Sequence, residues 1–245
     1  MRSEKKKIVI TGTEDNFSAL KQLIKGRGFE AVFFPTIEIK PARFVLKRKN
    51  YDWVIFTSRN AVEIFLKKTR KDFFKGKKIA AIGGATSALL ARKGLGTDFT
   101  PVLSGSGNFI REFPAVFSIA GKRFLLPVSS KAGDTISSGL RAKGGLADRL
   151  IVYEAKMPRI SLKAAWALMN KGPYDFILFS SPSAFGNFVG IKGLKTLLDT
   201  AHTAAIGPTT AAAMKKCGIK PDIIGKNASF RDMIEAIIKY EGGEK

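Results

Sequence analysis

Short runs of apolar residues alternate along this chain with segments of helical spacing. Trp53–Phe56 and Phe176–Phe179 are apolar throughout, which is typical of strands buried on both faces of a parallel sheet. Elsewhere apolar residues recur every three or four positions, as at Phe17, Leu20 and Ile24, and this spacing indicates a helix with one buried face. Alternating strand and helix signals predict an α/β protein with parallel sheets and right-handed crossovers.

Two phrases of the sequence occur twice. The segment 51–61 (YDWVIFTSRNA) returns at 174–184 as YDFILFSSPSA, and the segment 81–86 (AIGGAT) returns at 205–210 as AIGPTT. Each phrase reads as a buried strand, a turn of small or hydroxyl residues, and the start of a helix. The repeat predicts two similar lobes with one cleft between them, lined by the carboxyl ends of strands where open α/β sheets bind ligands.

Two longer extended stretches, Glu30–Pro41 and Leu150–Pro158, also occupy equivalent places in the two halves. They either pair with each other as a bridge between the lobes or form one ordinary strand in each half. Periodicity alone does not choose between these interpretations.

The charge is unusually basic, because 42 Lys and Arg face 20 Asp and Glu and give a net charge of +22. Such a charge favours a polyanionic partner. The densest basic segment, 67–78, precedes the strand at Ile79 and therefore lies at the rim opposite the strand ends, so we predict a solvated rim there. One cysteine, Cys217, excludes an internal disulfide, and no apolar run is long enough to span a membrane, so we expect a cytoplasmic protein.

Familiar catalytic motifs are missing from the sequence. The single histidine, His202, precedes a buried strand and is predicted to be structural, and no Cys/His spacing indicates zinc. The sequence has no phosphate-binding loop, no dinucleotide fingerprint and no hydrolase nucleophile elbow. The strand exits carry hydroxyl residues and helix starts, with Arg59 and Lys131 as their only basic side chains. They predict an activity without metal or cofactor, on a ligand with several dispersed anionic groups.

Taken in order, four phrases resemble the uroporphyrinogen-III synthase family. They are FTSRNAV at 56–62, VYEA at 152–155, FSSPS at 179–183 and AIGPTTA at 205–211, and the likeness covers almost the whole chain. The resemblance implies two flavodoxin-like parallel-sheet domains joined by a two-stranded ladder. The first domain would be formed by residues 1–37 and 157–245, and the second, residues 38–156, would be inserted into it together with the connecting strands.

The resemblance also implies a reaction. A hydro-lyase of this family closes hydroxymethylbilane, a linear tetrapyrrole with eight carboxylates, while inverting ring D and losing water. The family-like candidate for the catalytic acid is Tyr153, whose alternative role is packing in the ladder. The implied substrate-binding positions are Thr57, Ser58, Arg59, Thr86, Ser87, Ser181, Ser183, Thr209 and Thr210. This chain has Gly84 where the family often has a larger polar residue.

The same resemblance predicts a monomer that needs no cofactor and no membrane, and that contacts the upstream enzyme making the bilane only transiently. Two alternatives remain open: a module that binds nucleic acid or another polyanion, and a catalytically silent relative. A nucleic-acid partner would require basic residues interleaved with exposed aromatic residues, and the sequence shows basic rims without that interleaving.

Overall fold

The structure, a computed structural model, describes residues 5–47, 50–159, 162–226 and 229–243. The chain divides into two compact units, of which unit 1 comprises Met1–Glu38 and Lys156–Lys245 and unit 2 comprises Ile39–Ala155. Among the described residues, no helix combines the length and apolar character needed to cross a bilayer.

Helices and strands alternate along most of the chain. In order they are β1 (Lys6–Gly12), α1 (Glu14–Ile24), β2 (Phe29–Pro35), β3 (Glu38–Pro41), β4 (Trp53–Phe56), α2 (Arg59–Lys68), β5 (Lys78–Ala81), α3 (Gly84–Arg92), α4 (Ser106–Val116), β6 (Arg123–Ser129), α5 (Thr135–Arg141), β7 (Leu146–Lys156), α6 (Leu162–Asn170), β8 (Phe176–Phe179), α7 (Pro182–Val189), β9 (His202–Ala205), α8 (Pro208–Lys216), β10 (Ile223–Ile224) and α9 (Phe230–Glu241). The exceptions to the alternation are the consecutive strands β2 to β4 and the consecutive helices α3 and α4. Two short 3₁₀ helices, Lys71–Phe74 and Leu194–Asp199, precede β5 and β9.

Unit 1 contains a five-stranded sheet in the order β10-β9-β8-β1-β2, and its neighbouring strands run parallel. When the five strands are renumbered 1 to 5 along unit 1 and the sheet is read from β2, this is the flavodoxin-like order 2-1-3-4-5. Helices α1 and α9 bury Leu20 and Ile237 against one face of the sheet. Helices α7 and α8 bury Phe188 and Met214 against the other face.

Unit 2 repeats this architecture with a different starting point in the chain. Its sheet has the order β3-β7-β6-β4-β5, and the run β7-β6-β4-β5 is parallel throughout. That run matches β2-β1-β8-β9 of unit 1, which places the two copies of each repeated phrase on equivalent strands. The predicted fold class, α/β with two parallel sheets, is confirmed.

The expectation of one long strand over Glu30–Pro41 was wrong, because the stretch is broken into β2 and β3. The amides of Thr36 and Ile37 both donate to the carbonyl of Gly12, at 3.1 and 3.2 Å, and this turns the chain around the end of β1. Only β3, the second piece, lies beside β7. Outside the named strands, Phe99 forms a single parallel bridge to Ala80.

The acidic residues of the repeated phrases tie the amino ends of the strands together. The Asp52 carboxylate accepts the amide of Arg123 and the Asp175 carboxylate accepts the amide of Lys7, each at 2.8 Å. Because both acids serve the fold at the edge of the sheet opposite the strand exits, the repeat preserves structure there and leaves chemistry to the other edge.

Candidate functional site

The strands β4 and β6 of unit 2 are neighbours whose following helices lie on opposite faces of the sheet. Helix α2, after β4, packs Phe65 into the core on one face, whereas α5, after β6, packs Leu140 into the core on the other. The carboxyl ends of β4 and β6 therefore flank a crevice. In doubly wound α/β folds this crevice is where ligands bind.

A cavity of about 230 Å³ occupies this crevice. Its wall combines hydroxyl groups, apolar side chains and one guanidinium group. The lining residues are Thr57, Ser58, Ile82, Ser106, Leu126, Val128, Ser129, Ala132, Gly133, Ile136, Ser137, Arg149 and Tyr153. The structure thus brings together three residues predicted from the sequence: Thr57, Ser58 and Tyr153.

A β-bulge directs Tyr153 toward this cavity. The pairing of β6 and β7 shifts register between Val128 and Ser129, so that Val152 is an extra residue in β7. As a consequence, two consecutive side chains, Val152 and Tyr153, are both buried, with 0% and 7% of their surface exposed. Without the bulge, strand alternation would send one of them to the opposite face.

The hydroxyl of Tyr153 lies 3.1 Å from the Ser58 hydroxyl. Ser58 is also the N-cap of α2, because its Oγ accepts the amide of Ala61 at 3.1 Å. A side chain fixed by a helix cap thus holds the tyrosine hydroxyl at the cavity wall. The two hydroxyls form a pair that can pass or share a proton.

Arg149 forms the charged part of the wall. Its Nη1 donates to the Asp134 carboxylate at 3.2 Å and its Nη2 donates to the Ala132 carbonyl at 2.5 Å. The hydroxyl of Ser137 donates to the same carboxylate. The pKa of Asp134 lies below its usual value, first because of the Ser137 hydroxyl and then because of Arg149 and Arg141, so the acid stays ionised.

The other predicted residues of unit 2 lie outside the lining of this cavity. Arg59 is exposed at the start of α2, and Thr86 is buried in the first turn of α3. Ser87 turns toward Thr97, with 2.7 Å between their hydroxyl oxygens. The backbone before α3 is closely packed, since a Cβ on Gly83 would lie 2.4 Å from the Ser104 hydroxyl.

In unit 1 the equivalent crevice, between β1 and β8, is filled by side chains. The Asn16 amide donates to the Ser180 hydroxyl at 3.1 Å, and that hydroxyl lies 3.4 Å from the Thr11 carbonyl. Gly12 lies beneath them with φ +115°, and a Cβ there would be 2.6 Å from Ser180 Oγ. A residue with a side chain at position 12 would have to displace Ser180 and Asn16 and would also be strained by the positive φ.

The predicted residues of unit 1 lie at the starts of α7 and α8. Ser181 caps α7, and its Oγ accepts the amide of Ala184 at 3.1 Å, as Ser58 does in unit 2. Ser183 and Thr209 are exposed, whereas Thr210 is buried, with 2% of its surface exposed. The first two can reach a ligand with their hydroxyls. Thr210 faces the core and can offer a ligand only its backbone.

Sequence reasoning missed Arg149, Asp134 and Ser137. Arg149 lies on β7 four residues before Tyr153, and it could have been suspected as a charged residue in the middle of a strand that joins two halves. Asp134 and Ser137 belong to the short helix after β6, where the sequence carries no repeated phrase to mark them.

His202 and the acidic residues provide no metal centre in the part of the chain that the structure describes, since no three His, Cys, Asp or Glu side chains cluster there. The imidazole Nδ1 of His202 lies 3.3 Å from the Tyr240 hydroxyl and 3.9 Å from the Asp222 carboxylate. These contacts lie at the amino end of β9, away from the strand exits.

Comparisons with known proteins point to one family. The family model described as uroporphyrinogen-III synthase HemD matches residues 18–235. The uroporphyrinogen-III synthase of Chlorobaculum parvum is 31% identical over 228 residues, covering 89% of this chain and 92% of the relative. A protein of Methanocaldococcus jannaschii named putative uroporphyrinogen-III synthase is 30% identical, covering 94% of this chain and 97% of the relative. The crystal structure of uroporphyrinogen-III synthetase from Helicobacter pylori shares the fold, with a TM-score of 0.71 at 20% identity over 96% of this chain and 99% of that chain.

Proposed function

Because the chain belongs to the uroporphyrinogen-III synthase family of tetrapyrrole biosynthesis, whose members act on hydroxymethylbilane, we propose that it cyclises this bilane with inversion of ring D. The reaction is a lyase reaction that releases water. The observation that carries the proposal is the cavity of unit 2, which collects a tyrosine hydroxyl and several serine and threonine hydroxyls at the position where this fold binds ligands.

Tyr153 is the proposed general acid. Its hydroxyl protonates the terminal hydroxyl of the bilane. The C–O bond then breaks, water departs, and an azafulvenium cation remains. The substituted carbon of ring D attacks this cation and gives a spiro intermediate, which fragments and closes again with the ring inverted. The proton released when the ring regains aromaticity restores the tyrosine, so the steps balance. Ser58, 3.1 Å from Tyr153 Oη, supports this role by holding the hydroxyl in place.

Binding of the substrate carboxylates is proposed for the exits of the strands in each unit. In unit 2 the positions are Thr57, Ser58, Arg59, Thr86 and Ser87, and in unit 1 they are Ser181, Ser183, Thr209 and Thr210. Backbone amides at the starts of α2, α7 and α8 support the proposal, because the positive end of a helix favours a carboxylate. No cofactor is required for this chemistry.

A nucleic-acid partner is not proposed, because the tryptophan that lies beneath a lysine, Trp53, is not free to stack on bases. Lys78 lies over the ring of Trp53, with 5.6 Å between its Nζ and the ring centroid, and only 3% of Trp53 is exposed. Stacking of bases requires exposed rings. We propose a monomer that works in the cytoplasm and receives the bilane through transient contact with the enzyme that makes it.

Purified protein given freshly prepared hydroxymethylbilane tests the proposal. We expect the type III isomer, whereas the uncatalysed reaction gives type I. Tyr153→Phe should lower kcat about 100-fold or more, the usual contribution of a general acid. Tyr51→Phe is the matched control, since that buried tyrosine donates to Asp148 at 3.0 Å and does not line the cavity. Type I product alone from the wild-type protein would refute the function, and equal activity of the two variants would remove Tyr153 from the mechanism.

A further inference from the structure

The cavity of unit 2 is too small for a whole tetrapyrrole. Pockets that enclose a drug-sized ligand measure roughly 300 to 1,000 Å³, whereas this one measures about 230 Å³. We propose that it receives one pyrrole ring of the substrate with its two acid chains, and that Arg149 binds one of these carboxylates. This inference rests on the proposed function and adds a residue that binds one identified group of the substrate.

The lining of the cavity matches such a ring. Ile82, Leu126, Val128 and Ile136 offer apolar contact to the ring itself. Hydroxyl donors surround them, and Arg149 supplies the cationic group of the lining. A pyrrole with two carboxylates needs this combination, since its ring is apolar and its two chains are charged.

Arg149 is held in place and still has donors to spare. Two of its five N–H groups serve Asp134 and Ala132, which fixes the plane of the guanidinium group. Only 28% of its side chain is exposed, so little entropy is lost when a ligand binds. The remaining N–H groups can meet a carboxylate in the two-pronged geometry that arginine provides.

The local charge favours an incoming anion. The Asp134 carboxylate lies between two guanidinium groups, with Arg149 Nη1 at 3.2 Å and Arg141 Nη1 at 3.8 Å. These three groups carry a net charge of +1, which one substrate carboxylate would neutralise. Because Asp134 remains ionised, the guanidinium of Arg149 keeps its orientation while it binds.

Arg141 provides a matched control. It contacts the same Asp134 and donates to a backbone carbonyl, that of Ala147, at 2.6 Å, but it does not line the cavity. If Arg149 only anchored Asp134 and the helix after it, removal of either arginine would have the same effect. If Arg149 binds the substrate, the two removals differ.

The experiment uses the full chain and a small probe, a pyrrole that carries one carboxymethyl and one 2-carboxyethyl group on adjacent carbons. The probe is titrated into ¹⁵N-labelled wild-type protein, Arg149→Gln and Arg141→Gln. We expect saturable shifts of the amides of Ser58, Ser129 and Gly133. Arg149→Gln should weaken binding about tenfold or more, the usual effect of losing a charged hydrogen bond, and Arg141→Gln less than about twofold. The KM for hydroxymethylbilane should follow the same order, with kcat little changed.

Equal weakening by the two substitutions, or saturable shifts that exclude the cavity residues, would overturn the inference. A second measurement needs no variant: 3,4-dimethylpyrrole, which has no carboxylates, should bind wild-type protein at least about tenfold more weakly than the acid probe. Equal binding of both pyrroles would also overturn it. Type III product from the wild-type protein is scored separately, so this inference can fail while the proposed function stands, or the reverse.

Discussion

The pair formed by Ser58 and Tyr153 can be tested by removing the two hydroxyls separately and together. Tyr153→Phe removes the proposed acid, and Ser58→Ala removes both the partner of the acid and the cap of α2. At 3.1 Å between neutral hydroxyls, the bond is worth about 1 kcal/mol. If Ser58 acts on the reaction only by orienting Tyr153, Ser58→Ala should lower kcat about fivefold in the wild-type background, the rate equivalent of that energy. In the Tyr153→Phe background it should have no further effect.

Stability must be measured in parallel, because loss of the cap alone costs about 1 kcal/mol. Ser181→Ala supplies the comparison, since Ser181 caps α7 with the same 3.1 Å bond and occupies the equivalent place in the repeat. Urea unfolding should give similar losses for Ser58→Ala and Ser181→Ala. The coupling of kcat to Tyr153→Phe should appear only for Ser58. Multiplicative losses of kcat in the Ser58→Ala/Tyr153→Phe double variant would show that the two residues act independently, and would refute the orienting role.

Three further outcomes follow from local geometry. Gly12→Ala should lower the free energy of unfolding by about 2 kcal/mol more than Gly26→Ala. Both glycines have positive φ, but of the two only Gly12 is crowded by Ser180 and Asn16. Equal losses of stability in urea unfolding would contradict this prediction. The pKa of Asp52 is lowered, chiefly by the amide of Arg123. The contribution of Asp52 to the free energy of unfolding is therefore present above its pKa in the unfolded chain and is lost as pH falls through its pKa in the folded protein. Asp52→Asn should reduce the fall in the free energy of unfolding that is measured at about 25 °C as pH decreases from 7 to 3. Burial and then the bond to Asp148 raise the pKa of Tyr51 to about 12. The contribution of Tyr51 to the free energy of unfolding is therefore intact below pH about 10 and is lost as pH rises toward 12. Tyr51→Phe should remove this alkaline loss of stability, and it should remove one phenol that titrates at high pH in ultraviolet absorbance.

The repeated phrases predicted the architecture because they describe what a strand and its exit require locally. An apolar run such as Trp53–Phe56 must be buried on both sides, and a hydroxyl residue such as Ser58 must cap the helix that follows. Residues that a single element determines can therefore be predicted from the sequence. The bulge at Val152 and the turn around Gly12 depend on contacts with a neighbouring strand. The pattern of apolar residues within β7 or β2 therefore does not predict them.

The cavity lies beyond sequence prediction for the same reason, since it depends on a difference between the two units rather than on their likeness. In unit 1, α1 begins at Glu14, directly after β1, and its first turn delivers Asn16 into the crevice, where it meets Ser180. In unit 2, five residues separate Ser129 from the helix that begins at Thr135. Ser137, the third residue of that helix as Asn16 is of α1, bonds to Asp134 and lines the cavity. The crevice of unit 1 is therefore occupied by side chains that bond to each other, whereas the crevice of unit 2 has room for a ligand beside Tyr153 and Arg149. Substitution of Asn16 should consequently affect the stability of unit 1 before it affects catalysis, whereas substitutions around Arg149 should affect substrate binding first.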